Sequence, residues 1–129
     1  MKEPLSGSLG RTYLTCLIIT ALTDGKILPE EVDFINLQAE VLGIEERVLW
    51  ADVPTDLTFL DSGTVSPELA LLIIKDCIFL ARCDGEYSVN ERDFVKRLAL
   101  RLGIEAEAFE RLEARLIGLW RLAERIRKP

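Results

Sequence analysis

Residues 21–45 read ALTDGKILPEEVDFINLQAEVLGIE, and sixty positions later residues 81–105 read ARCDGEYSVNERDFVKRLALRLGIE. Eleven of the twenty-five aligned pairs are identical: Ala21/Ala81, Asp24/Asp84, Gly25/Gly85, Glu31/Glu91, Asp33/Asp93, Phe34/Phe94, Ala39/Ala99, Leu42/Leu102, Gly43/Gly103, Ile44/Ile104 and Glu45/Glu105. An internal period of this length marks a duplicated supersecondary unit. The identities mix apolar spacers, helix-ending glycines and carboxylates, so the repeated object is a pair of helices together with its polar inserts. Function is to be sought where the two copies meet.

Working outward, residues 9–23 carry Leu14, Leu17, Ile18, Ala21 and Leu22 at helical spacing, which predicts a largely buried first helix. Asp24-Gly25 ends it, and Pro29 fits the first position of a second helix, where its missing N–H costs nothing; Glu30 and Glu31 suit the positive end of that helix's dipole. Gly43 is the expected left-handed stop. Residues 45–52 predict a short third helix, Pro54 prevents its extension, and residues 53–65 predict a loop with Leu57, Phe59 and Leu60 available to pack. Ser66-Pro67-Glu68 opens the most apolar helix, expected to be central and to run to about Cys83. Ser88 and Glu91 form a capping-box pattern for the next helix, to about Leu102. A last helix from 106 to 127 shows a stripe of Phe109, Leu112, Leu116, Leu119, Trp120, Ala123 and Ile126. No strand-like alternation appears. The expectation is an all-α single domain over 1–129, of about six to seven helices, with two pseudo-symmetric repeats at about 9–52 and 66–105 closed by the helix 106–127.

Composition narrows the function classes. The chain has 129 residues, 49% apolar and 29% charged, which is globular composition for one domain. A net charge of −6 argues against nucleic acid, which demands a basic surface. The basic cluster Arg121, Arg125, Arg127 and Lys128 closes the last helix, where cations suit the dipole. There is no histidine, which removes the commonest general base and most zinc or iron sites. Cys16, Cys77 and Cys83 lie in apolar helical runs without CxxC spacing and read as core. The longest apolar run is broken by Lys75 and Asp76, short of the roughly 20 residues of a membrane span. With no cleavage pattern near the start, cytoplasmic residence without membrane insertion is expected.

One constellation carries possible chemistry. Each copy reads Asp-Gly, five residues, Glu: Asp24-Gly25 to Glu31 and Asp84-Gly85 to Glu91. This matches the back half of an EF-hand loop, with Ile27 and Tyr87 at its apolar position; the front half is missing, since Thr20, Leu22, Leu80 and Arg82 stand where ligands belong. One copy offers two carboxylates, too few for calcium. Both loops together would offer four, Asp24, Glu31, Asp84 and Glu91, a set suited to calcium or magnesium. The same residue types also make ordinary helix stops and cap partners, so capping and metal binding both stand. Asp33 and Asp93 point to a different side of their helices from the glutamates and read as solvated or near a cap.

The helix ending in Ala-x-x-Asp-Gly, the short loop, the capped helix with Glu at its third position and the closing Leu-Gly-Ile resemble the TerB-like family of tellurite-resistance proteins over nearly the whole chain. Members usually carry alanine before Asp-Gly, where this chain has Thr23 and Cys83. The resemblance implies a compact all-helical fold with two pseudo-symmetric halves and a divalent-cation site at Asp24, Glu31, Asp84 and Glu91. It further implies a stress-response or adaptor role with an unidentified protein partner. No J domain is present, so no co-chaperone activity is carried over.

Three functions follow. The first is a non-enzymatic TerB-like module that binds a divalent cation through paired loops and docks a protein. The second is a purely structural interaction domain without metal. The third and remotest is a metal-assisted phosphohydrolase, for which Arg82 and Arg92 are the nearby candidates to stabilise developing negative charge.

Overall fold

Residues 7–22 are apolar on almost every side, and the helix they form, α1 (Gly7–Leu22), is accordingly surrounded. The computed structural model describes residues 7–23, 25, 27–54, 56–61, 63, 65–82 and 87–127; Asp24, Cys83, Asp84, Gly85 and Lys128 lie outside them. After α1 come α2 (Pro29–Val41), a 3-10 turn (Trp50–Asp52), α3 (Pro67–Ala81), α4 (Val89–Arg101) and α5 (Ala106–Arg127). No strand occurs among the described residues. The chain is all-α and one compact domain, with five α-helices among the described residues where six or seven were expected.

α1 packs on α2, α3 and α4, while α5 packs on α3 and α4. The core is built mainly from α1 and α3, with Tyr13, Leu17, Ile18, Ile73, Ile74 and Ile78 fully or almost fully buried. α4 adds Val95 and Leu98, and α5 adds Phe109. α3 is thus central, as its sequence predicts. Cys16 and Cys77 are buried core, again as expected.

α2 and α4 have bounds sixty residues apart at both ends, and they end with the same bonds. Ile44 N–H donates to Ala39 C=O and Ile104 N–H to Ala99 C=O, both at 2.8 Å. Gly43 N–H donates to Glu40 C=O and Gly103 N–H to Leu100 C=O, both at 3.1 Å. This is the Schellman stop, in which the residue after the cap must turn left-handed. Gly43 (φ 68°) and Gly103 (φ 90°) do so without the clash that a Cβ would bring. The repeated Ala, Leu, Gly and Ile are therefore the parts of one helix ending.

The expected helix over 45–52 is reduced to the 3-10 turn. Eight residues before a proline are too few to hold a helix without tertiary anchoring. Leu49, sixty positions before the buried Phe109 that anchors α5, is exposed. The stripe along α5 likewise packs only in part. Phe109 and Leu116 are buried and Trp120 is half-buried, but Leu119 and Ile126 project into solvent. The connection 53–65 is held by Leu57, Phe59 and Leu60, and by Arg101, which donates to the carbonyls of Leu57 (2.9 Å) and Thr58 (3.4 Å).

Candidate functional site

Pro29 and Val89 are the first residues of α2 and α4, which places Glu31 and Glu91 at the third helical position of each. There a glutamate can fold back over the unbonded N–H groups of the first turn. Glu31 Oε1 accepts from Leu28 N–H at 2.9 Å and Glu91 Oε1 from Ser88 N–H at 3.1 Å. Ser88 returns the second half of the box by accepting from Glu91 N–H at 3.1 Å. Leu28 has no acceptor to do the same, and Pro29 at the start of α2 compensates by removing a donor. Both glutamates are only 4% exposed. Their sequence partners Asp24 and Asp84 lie outside the described residues. Among the described residues no three cysteine, aspartate or glutamate side chains are grouped so as to hold a metal ion. Asp33 and Asp93 are exposed.

Two hydrogen-bonded networks, the first buried and the second partly buried, link the helices, and neither is a motif in the sequence. In the first, Tyr13 of α1 donates its hydroxyl to Asp76 Oδ2 of α3 at 2.5 Å, and Gln38 of α2 donates to the same oxygen at 3.1 Å. Lys75 Nζ stands 3.8 Å from the other Asp76 oxygen. Burial, then the Asp76 carboxylate, holds the Tyr13 hydroxyl far above its ordinary value. In the second, Tyr87 donates to Glu113 Oε2 at 2.7 Å, and Arg92 Nε lies 3.0 Å from Oε1 and 2.9 Å from Oε2 of the same residue. Tyr87 is raised first by burial and then by Glu113, which in turn raises Arg92. The signal for the first network was a carboxylate inside LLIIKDCIFL, since a charge in the most apolar helix must be paired. The second depends on α5 folding back onto the start of α4, which no local pattern announces.

These groups are placed to hold helices together. Tyr13 and Asp76 are buried, and Asp76 Oδ2 accepts from both Tyr13 and Gln38. Burial pushes the Cys77 thiol up to about 12 and Cys16 well above 9.0, so both are protonated and unreactive at neutral pH. Arg82 and Arg92, the two arginines beside the second acidic motif, are also engaged. Arg92 binds Glu113, and the Arg82 guanidinium lies 4.3 Å from the centre of the Trp120 ring and 3.9 Å from Glu124. Trp120 meets Phe79 edge-on at 5.3 Å, and both line a groove of about 320 Å³ together with Phe34. No helix is long and apolar enough to cross a membrane among the described residues. No protein-family profile, no curated protein and no solved structure matches this chain.

Proposed function

We propose that the chain is a non-enzymatic, TerB-like adaptor module built from two pseudo-symmetric repeats. The observation that carries this reading is that the repeated residues act as helix terminators. Glu31 and Glu91 cap helix starts, and the Gly43 and Gly103 turns close helix ends. The engaged state of Arg82 and Arg92 also weighs against the phosphohydrolase alternative, because Arg82 lies over the Trp120 ring and Arg92 pairs with Glu113.

Divalent-cation binding at Asp24, Glu31, Asp84 and Glu91 remains part of the proposal. A carboxylate has about four lone-pair positions, so capping by one oxygen is compatible with an ion on the same group. The test is thermal unfolding of chelator-stripped protein with calcium, magnesium, manganese or no ion, beside a Glu31→Gln/Glu91→Gln variant. Glutamine keeps the cap acceptor and loses the charge. An ion at 100 times its dissociation constant stabilises by about 2.7 kcal/mol. A shift present in the parent and lost in the variant establishes the ion site. No shift with any ion, with a variant of near-parental stability, leaves an interaction module without metal. Measurable phosphoesterase activity lost in Arg82→Ala would refute the adaptor reading.

A further inference from the structure

One chain carries two exposed, partly apolar faces of opposite charge. The first is the outer side of α2. Asp33, Leu37 and Glu40 follow one another along it at steps of four and three, with Val41 beside them. Leu37 and Val41 are 55% and 67% exposed, and α2 contains no basic residue. Such exposed side chains on one face of an edge helix are what a partner covers.

The second face lies between α3 and α5. A groove of about 430 Å³ is walled by Leu71, Leu72 and Leu112, and its charged lining is Lys75, Arg111 and Arg115, with no carboxylate. Neither Arg111 nor Arg115 forms an ion pair among the described residues. Leu119, Leu122 and Ile126 continue the same side of α5 beyond the groove, 56%, 52% and 76% exposed. The steps 112, 115, 119, 122, 126 keep them in one stripe. In a chain of net charge −6, a cationic apolar groove is a local inversion of the field.

We propose that these faces bind each other between molecules, the outer face of α2 of one copy lying in the α3/α5 groove of the next. The occupant fits the groove as an amphipathic helix, with Leu37 and Val41 meeting the leucines and Asp33 and Glu40 meeting Arg111 and Arg115. The groove is lined by no residue of α2 from its own chain, so the contact is heterologous and builds a ring or an open chain. The inference rests on the adaptor reading and gives that module a first partner, a second copy of itself.

The test is sedimentation velocity of the full chain from about 1 µM to about 1 mM. The expected result is concentration-dependent growth beyond monomer that weakens between about 0.1 M and 1 M salt, as screening shortens from roughly 10 Å to 3 Å. Arg111→Glu/Arg115→Glu and Asp33→Lys/Glu40→Lys should each weaken association at least about tenfold with helical circular dichroism unchanged. Mixing the two variants, or combining all four changes in one chain, should restore it, because each acidic face again meets a basic one. A parent that stays monomeric overturns the proposal, as does association that survives Asp33→Lys/Glu40→Lys. A monomeric parent that co-sediments with phosphatidylserine vesicles, and loses this in Arg111→Glu/Arg115→Glu, overturns it in favour of lipid. A photo-crosslinker at Leu122 that captures only a different protein overturns self-docking while leaving the adaptor reading standing. No capture of any protein, with a monomeric parent, overturns both.

Discussion

Alkali should unfold this chain from its interior. Cys16, Cys77 and Tyr13 are fully buried, and burial is the leading cause that holds each in its neutral, protonated form. Unfolding returns the thiols to water, where they ionise around 9.0, and the phenol, which ionises around 10.0. All three folded values are raised, so above the unfolded values the folded state binds more protons and stability falls as pH rises. The slope reaches about 1.4 kcal/mol per group per pH unit. At about pH 11, two units past the Cys77 thiol and one past the phenol, Cys77 withdraws about 3 kcal/mol and Tyr13 about 1, and Cys16 adds a loss of the same sign. Cys77 and Tyr13 alone remove about 4 kcal/mol, against a usual domain stability of about 5–15. Tyr87, partly exposed and held by Glu113, adds a smaller loss of the same sign.

The assay is urea unfolding followed by circular dichroism at half-unit steps from about pH 8 to pH 11, with tyrosinate absorbance read on the same samples. Below about pH 8.5 these groups should leave stability flat. Above it the unfolding midpoint should fall continuously, and the tyrosinate signal of Tyr13 should appear only together with loss of helix. A tyrosinate signal from both tyrosines with a midpoint near 10 in protein that keeps its helices would show that water reaches Tyr13. The buried network would then be wrong.

Asp76→Ala leaves the Tyr13 hydroxyl without its acceptor and should cost about 2–3 kcal/mol in chemical denaturation, more than Tyr13→Phe, which leaves Gln38 still bonded to Asp76. Arg92→Ala should cost about 1–2 kcal/mol because the Glu113 carboxylate it binds is nearly buried, whereas Lys96→Ala, whose Glu110 partner is exposed, should cost less than about 1. Equal costs would refute that distinction. Gly43→Ala and Gly103→Ala each force a Cβ into a left-handed turn and should lower the thermal midpoint by a few degrees, about 1 kcal/mol.

What the sequence made legible was whatever local chemistry decides. Ser66, Pro29, Ser88 with Glu91, Gly43 and Gly103 sit at the helix boundaries their residue types require, since a cap or a left-handed turn is settled within a few residues. The third helix failed for a non-local reason. Residues 45–52 have helical letters, but Leu49 finds no partner to bury it, and so short a helix cannot stand alone. The two networks were hidden for the same kind of reason. Tyr13 and Asp76 are sixty-three residues apart, and only the packing of α1 on α3 brings them together. Half of the acidic motif was legible as a cap. Its possible second use with Asp24 and Asp84 depends on how the two loops sit relative to each other, which spacing does not encode.

The two copies of the sequence repeat have unlike surroundings, and this difference bears on function. The start of α4 is tied to α5 by Tyr87, Arg92 and Glu113, and Phe109 seats α5 beside it. Sixty positions earlier stand Ile27, Val32 and Val53, none of which can make those bonds, and among the described residues only the 3-10 turn stands between α2 and α3. The first copy therefore ends in an edge helix with an acidic outer face, while the second is covered by a long helix whose far half is apolar and basic. A duplication that kept both copies alike would give the molecule two equivalent ends. The differences at these positions give it two unlike faces, acidic at α2 and basic along α5. That is the property the proposed head-to-tail contact between copies requires, and it follows from α5 packing mainly on α3 and α4 rather than on α2.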